Sequence, residues 1–129
     1  MLGRIRRRYI LVKIESDEEI DRRSFLNAVW SSILQLFGEY GASQTELALI
    51  EYRWKERSAI LRCSHRALDM VKSAIAAITR INGKEATIHI LLVSGTLKSL
   101  RRKSKTIFAQ ENKNNMSQKS IKKVIGESD

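Results

Sequence analysis

Few side chains in this sequence have the types and spacing that catalysis requires. The densest carboxylate cluster is an acidic run near the N-terminus, formed by Glu15, Asp17, Glu18, Glu19 and Asp21. Carboxylates crowded in this way can hold Mg²⁺ or exchange protons. Here Arg22 and Arg23 follow directly and can neutralise them, and no histidine joins the cluster. We interpret the run as the start of a helix, where negative charge is favourable.

The single cysteine, Cys63, offers neither a disulfide nor a zinc site. The chain has no second cysteine, His65 is only two residues away, and His89 stands alone. Cys63 shares one side of a predicted strand with Ala59 and Leu61, which predicts a buried, apolar role. The sequence contains no glycine-rich phosphate loop and no nucleophile motif. We therefore expect no catalytic residue and no metal site in this chain.

The clearest chemistry lies in two short basic runs. The formal net charge is +10, yet residues 9–93 carry 11 basic and 11 acidic residues, so the excess lies outside them. Residues 1–8 carry four arginines and no acid, and residues 94–105 carry five basic residues and no acid. Segregated positive charge is typical of proteins that bind nucleic-acid phosphates, although a merely solvated tail is the alternative.

The second basic run begins with three small residues that can approach a phosphate. A glycine permits close backbone approach, and a hydroxyl can donate a hydrogen bond to a phosphate oxygen. The candidate RNA-binding residues are Arg6, Arg7, Arg8, Ser94, Gly95, Thr96, Lys98, Arg101, Arg102 and Lys103.

Between the basic runs, hydrophobic periodicity predicts six elements. In chain order they are a strand over 8–15, a helix that ends at Gly38, strands over 46–54 and 58–63, a helix capped by Ser64 that reaches Ile81, and a strand over 85–93. The order βαββαβ predicts an α+β, ferredoxin-like, two-layer sandwich with an antiparallel four-stranded sheet. Its first and last strands lie side by side and antiparallel, so the two basic runs would join into one patch of up to nine charges.

The domain organisation expected from composition is one RNA-binding domain over 1–105 and a polar, flexible tail over 106–129. A short helix from Met116 to Ile125 can form within the tail. The longest apolar run, around Ile88 to Val93, falls far short of the roughly 20 residues that span a bilayer. We therefore expect a soluble, cytoplasmic protein that does not enter membranes.

One face of the predicted sheet is left without helices and is too apolar to face water. The apolar residues assigned to it form the candidate protein interface: Leu11, Ile60, Leu91 and Val93. We expect either a protein partner or the C-terminal segment to cover it. Readers of single-stranded RNA stack bases on aromatic residues of the two central strands, but here only Tyr9 is available. Tyr52 and Trp54 are interpreted as packing residues.

Several short segments, in the right order, resemble archaeal ribonuclease P protein component 2. They are Arg8-Tyr9, Leu36 to Ala42, Ile60 to Cys63, Ile81 to Gly83 and Val93 to Lys98. The likeness covers about residues 8–105, and its most specific part is Val-Ser-Gly-Thr-Leu-Lys followed by the basic run. Leu92 departs from the pattern, because many relatives have glycine there.

The resemblance implies a subunit of a ribonucleoprotein endonuclease that removes the 5′ leader of precursor tRNA. Catalysis would come from Mg²⁺ bound to the RNA, and the protein would bind no cofactor of its own. The implied partners are ribonuclease P RNA, precursor tRNA and ribonuclease P protein component 3, with a homodimer contact inside a dimer of dimers.

Two alternatives from other functional classes stay open at this point. A ferredoxin-like domain can serve as a ligand-binding regulatory or dimerisation module, because fold does not determine function. That alternative gives the clustered basic runs no role. The other is an independent metal-dependent nuclease that uses the acidic run, and it would require Asp17 for cleavage without RNA.

Overall fold

The computed structural model describes residues 6–107, in which four long strands form one antiparallel sheet; numbered along the chain, they lie in the order second, third, first, fourth. The elements are β1 (Arg7–Glu15), α1 (Arg22–Ser43), β2 (Ala48–Arg53), β3 (Ser58–Ser64), α2 (Leu68–Ala76), β4 (Arg80–Ile81), β5 (Lys84–Glu85), β6 (Thr87–Ser94) and α3 (97–107). This arrangement confirms the predicted α+β, ferredoxin-like fold. No described helix is both long and apolar enough to cross a membrane.

Helix α1 begins at the acidic run, as predicted. The Asp21 carboxylate accepts hydrogen bonds from the Ser24 hydroxyl at 2.6 Å and the Ser24 backbone N–H at 3.1 Å. These bonds lower the pKa of Asp21, because they stabilise its charged form. The predicted end at Gly38 was wrong in part. The backbone leaves helical geometry there, with φ 72° and ψ −178°, but the helix resumes and reaches Ser43. Glycine permits this kink because it has no Cβ.

The second half of the chain departs further from prediction. Ser64 does not cap α2; its hydroxyl donates to the Gln44 carbonyl at 2.8 Å. Helix α2 begins at Leu68, after a 3-10 turn, and ends at Ala76. Residues 77–81, predicted to continue the helix, instead lead into the β4–β5 hairpin, whose first strand is Arg80–Ile81. Asn82 and Gly83 form its turn with φ values of 52° and 79°, a combination that an Asn-Gly pair adopts readily.

Helices α1 and α2 cover one face of the sheet and enclose the main core. Cys63 is buried in it as predicted, and burial raises the pKa of its thiol to about 11. Tyr52 packs at the rim, with its ring centroid 5.3 Å from that of Phe25. Its hydroxyl donates to the Ile20 carbonyl. Burial, followed by the charges of Asp21 and Glu19, raises the pKa of Tyr52 to about 12.

A β-bulge decides which residues face the opposite side of the sheet. The register between β1 and β6 shifts between Leu11 and Val12, so one extra residue of β6 lies at that point. Val93 therefore pairs with Ile10 and packs against the main core, which corrects its assignment to the open face. Leu91 does lie on the open side, and Leu92, which departs from the family pattern, joins it there.

Helix α3 covers this second face, which confirms one of the two predicted covers. Leu100 is fully buried and forms a small cluster with Leu11 and Ile60, which are 2% and 4% exposed. Leu11 and Ile60 are therefore not available as an open partner interface while α3 is in place. Thr106 and Ile107 continue α3. The rest of the predicted tail, 108–129, lies outside the described residues, as does the helix expected from Met116 to Ile125.

Candidate nucleic-acid interface

The two basic runs meet at the end of the sheet where β1 begins. Tyr9 pairs with Ser94 at the end of β6, and Arg7 pairs with Ser64 at the end of β3. We call this surface the basic end and define it by the described basic residues of the two runs: Arg6, Arg7, Arg8, Lys98, Arg101, Arg102, Lys103 and Lys105. All are exposed except Arg8, which is half-buried. The predicted convergence is confirmed.

Gly95 lets the two runs approach one another closely. A Cβ placed on Gly95 would lie 3.1 Å from the Arg8 guanidinium nitrogen Nη1, tighter than ordinary van der Waals contact. Arg8 Nη1 also donates to the Arg7 carbonyl at 3.4 Å. A side chain at position 95 would therefore push the Arg8 guanidinium aside by a few tenths of an ångström.

Thr96 has a structural role in addition to the predicted one. Its Oγ1 accepts a hydrogen bond from the Ser99 backbone N–H at 3.1 Å, as the cap of a helix N-terminus does. The Ser94 hydroxyl accepts from the Thr96 N–H at 3.4 Å. Both hydroxyls can still donate their own hydrogens, since a hydroxyl donates and accepts at once. Ser94 and Thr96 thus set the direction in which α3 leaves the sheet.

Helix α3 separates apolar from basic residues. Leu97, Leu100, Ser104 and Ile107, spaced by three and four residues, are buried or half-buried toward the sheet. The five basic residues of the run lie on the remaining, exposed surface: Lys98, Arg101, Arg102, Lys103 and Lys105. What the sequence presents as a polar run after a turn is therefore an amphipathic helix that holds its charges away from the sheet.

Positive charge dominates the basic end. Within residues 6–107, none of its side chains forms an ion pair with a carboxylate; the ion pairs of Arg53 with Glu51 and Glu56 lie elsewhere on the surface. Unpaired, exposed guanidinium and ammonium groups are available for phosphate oxygens, and Arg can bind two oxygens at once.

Sequence reasoning missed two residues beside the basic end. The 3-10 turn after β3 places His65 and Arg66 there, both exposed, and the His65 backbone N–H donates to the Arg6 carbonyl at 2.7 Å. Both lie within residues 9–93, whose formal charges balance, so the charge distribution along the sequence does not single them out. The pairing of β1 with β3 would have pointed to them, because the end of β3 lies at the same end of the sheet as Arg7.

The acidic run does not converge on a metal-binding geometry. Among residues 6–107, no three His, Cys, Asp or Glu side chains lie close enough together to hold a metal ion. Glu15 instead contacts His89, with 2.8 Å between Oε2 and Nε2, and Asp21 caps α1.

Comparison with known proteins identifies a consistent set of relatives. The model of the Rpp14/Pop5 family matches residues 8–105. Ribonuclease P protein component 2 of Archaeoglobus fulgidus is 39% identical over 101 residues, which cover 78% of this chain and 89% of that protein. The same component of Methanosarcina mazei is 35% identical over 95 residues, covering 74% of this chain and 80% of that protein.

The fold also recurs in a solved structure. A chain in the cryo-EM structure of yeast ribonuclease MRP superimposes with a TM-score of 0.60 and 16% identity, covering 91% of this chain and 99% of that chain. At this identity the likeness concerns the fold.

Proposed function

This chain belongs to the Rpp14/Pop5 family, and on that premise we propose that it is a protein subunit of ribonuclease P whose basic end binds RNA phosphates. One observation carries the RNA-binding part: two basic runs from opposite ends of the domain meet beside Gly95, in a chain whose intervening residues are electrically neutral. The fold, and not the sequence order, makes them one surface.

The physical basis of binding is the release of counterions from the RNA. Each phosphate that a Lys or Arg neutralises adds about 0.9 to the slope of log affinity against log salt for a duplex. Phosphate contacts set position and orientation but carry no sequence information. The basic end therefore recognises a folded RNA by the spacing of its phosphates, as proteins that bind structured RNA do.

Within the ribonucleoprotein we assign hydrolysis of the precursor tRNA to Mg²⁺ bound by the RNA. The protein lowers repulsion between phosphates that lie close together in the folded RNA, and so stabilises the shape that cleaves the 5′ leader. The surroundings of the acidic residues support this division, because Asp21 is engaged in capping α1 and Glu15 contacts His89.

The proposed partners follow from the same premise. They are ribonuclease P RNA, precursor tRNA bound by that RNA, and ribonuclease P protein component 3, with a contact between two copies of this chain in a dimer of dimers. We place the assembly in the cytoplasm. The sheet face covered by α3 is a poor candidate for the protein contact, because Leu100 already buries Leu11 and Ile60.

Charge reversal on α3 tests the RNA-binding surface. We expect Arg101→Glu with Arg102→Glu to weaken binding to the cognate ribonuclease P RNA by at least tenfold. The salt slope should fall by about 2, since about two phosphate contacts are lost. Binding is measured across a salt titration, with tRNA and an unrelated structured RNA as competitors.

The matched control is Arg22→Glu with Arg23→Glu. Both arginines are exposed and adjacent, and their reversal changes the net charge equally, but they begin α1, which follows the opposite end of β1. Equal weakening by both pairs would mean that only net charge matters, and the proposed surface would be wrong. Wild-type binding that is weak and does not distinguish the three RNAs would argue against the subunit role itself.

A further inference from the structure

The second half of α1 protrudes from the domain. Phe25, Val29 and Ile33 are fully buried, but every residue from 34 to 40 is exposed. We call residues 34–40 the α1 overhang. It carries all the exposed large apolar side chains of the described residues: Leu34, Leu36, Phe37 and Tyr40, with exposed fractions of 44%, 49%, 39% and 80%. Large apolar side chains exposed together on one short segment are typical of an interaction site.

The overhang continues the stripe that packs in the core. Leu36 and Phe37 lie three and four residues after Ile33, the spacing that keeps side chains on one side of a helix. This spacing would place Phe37 on the buried side of a helix that was covered along its whole length. The helix nevertheless extends past the surface that could cover it, and the Gly38 kink returns the chain so that Gly41 and Ala42 are buried again. Leu36 and Phe37 thus continue the packing face of α1 beyond the surface that covers it.

The segment of the chain that carries the overhang has only acidic charged residues. Residues 24–52 contain no Lys and no Arg, in a chain of net charge +10. The charged residues nearest in sequence, Glu39 and Glu46, are both exposed and acidic. Carboxylates repel the phosphate backbone and attract basic side chains. The patch therefore suits a protein surface with an apolar centre and a rim of Lys or Arg, and not an RNA.

The overhang also adjoins the basic end. Just beyond it, the carbonyls of Gln44 and Thr45 accept hydrogen bonds from the Ser64 hydroxyl and backbone N–H, each at 2.8 Å. Ser64 pairs with Arg7, the first residue of β1. A protein docked on the overhang would stand beside RNA held at the basic end.

We propose that the α1 overhang is the docking surface for a second protein subunit of the same ribonucleoprotein, one that presents apolar side chains within a basic rim. This inference rests on the proposed function and gives the protein contact a place other than the sheet face under α3. Aromatic side chains such as Phe37 and Tyr40 are the residue types on which interface energy concentrates.

Replacing Tyr40 by a basic or by an acidic residue tests the proposal. The Tyr40 side chain is 80% exposed, so its replacement leaves the core intact. The probe is purified ribonuclease P protein component 3 from the same genome, titrated against the full-length chain. We expect Tyr40→Lys to weaken its binding at least tenfold, and Tyr40→Glu to weaken it less, because the added carboxylate matches the basic rim. Ala76→Lys, on the exposed side of α2, adds the same charge elsewhere and should leave binding unchanged.

Binding to ribonuclease P RNA, measured without component 3, separates this inference from the function it rests on. Tyr40→Glu should leave RNA affinity unchanged. The double variant Arg101→Glu, Arg102→Glu should lose RNA affinity but bind component 3 as tightly as the wild type does. If Tyr40→Lys instead strengthens RNA binding without affecting component 3, the overhang faces RNA and the proposal is wrong.

Sedimentation of the wild-type chain and of Tyr40→Lys tests whether the overhang binds a second copy of this chain. A wild-type dimer that Tyr40→Lys dissociates, with component 3 binding intact, would assign the overhang to a second copy of this chain and overturn the proposal. Failure of component 3 to bind the folded wild-type chain would also overturn it. Selective, salt-dependent binding of ribonuclease P RNA would still uphold the RNA-binding role in that case.

Discussion

The two faces of the sheet are covered by helices in different ways. On one face, α1 and α2 enclose a continuous core that includes Phe25, Ile33 and Ile75, all fully buried. On the other, α3 is held by a cluster with only three buried residues, Leu11, Ile60 and Leu100. Apolar burial dominates folding free energy, so the first face must supply most of the stability. The second face buries little apolar surface, and α3 carries its basic residues on the outer side. Its main role is therefore to position positive charge.

The largest expected effect is a loss of stability when a buried residue of the first face is truncated. Phe25→Ala should lower the free energy of unfolding by about 3–5 kcal/mol, because a fully buried aromatic ring leaves a cavity against Tyr52. Denaturant titration measures the change. A loss below about 1 kcal/mol would mean that the core under α1 is looser than its burial indicates, and the contrast between the faces would fail.

An intermediate effect is expected from the second face. Leu100→Ala should destabilise the docking of α3 by about 2 kcal/mol, the low end for a buried Leu, because its cluster is small. The main core should keep its thermal unfolding midpoint, while the salt slope of RNA binding flattens because the charges of α3 are no longer held beside Arg8.

The conservative variant Leu100→Met is the control for this change. It keeps about the same volume and should preserve both α3 docking and the salt slope. A parallel fall in the midpoint and in RNA affinity for Leu100→Ala, with the slope unchanged, would show that Leu100 stabilises the whole domain and does not position α3 in particular.

The smallest effect is a pH dependence at the rim of the first face. Tyr52→Phe removes the hydrogen bond to the Ile20 carbonyl and should cost about 1 kcal/mol near pH 8. The pKa of Tyr52 is raised to about 12, from an ordinary value near 10, so the folded state favours the protonated phenol. Its contribution is fully present below about pH 10 and is lost as pH rises toward about 12.

The difference in unfolding free energy between wild type and Tyr52→Phe should therefore shrink over that interval. Measuring the difference cancels the titration of lysines and of other groups that both proteins share. A difference that stays constant from pH 8 to pH 12 would contradict the raised pKa of Tyr52 in the folded state.

The order of the elements along the chain could be predicted because each element rests on a local pattern. The meeting of the basic runs followed from the topology that this order indicates. Alternation in β1, the acidic start of α1 and the turn residues around Gly95 act over a few residues, and one topology joins them. The RNA-contact residues themselves stay a prediction for the binding experiments. The helix predicted to reach Ile81 ends at Ala76, because Asn82 and Gly83 form the turn of a hairpin whose first strand, β4, takes up Arg80 and Ile81.

By itself the sequence determined where the charges are, which segments alternate as strands, and that Cys63 is an interior residue. These features depend on residue types and short periods, which a chain carries before it folds. Only the tertiary structure decided that Val93 turns to the main core, that Leu100 attaches α3 to the sheet, and that Phe37 is left uncovered. A bulge, a docked helix and a protruding one each depend on what lies opposite a residue in space, and residue spacing does not encode that.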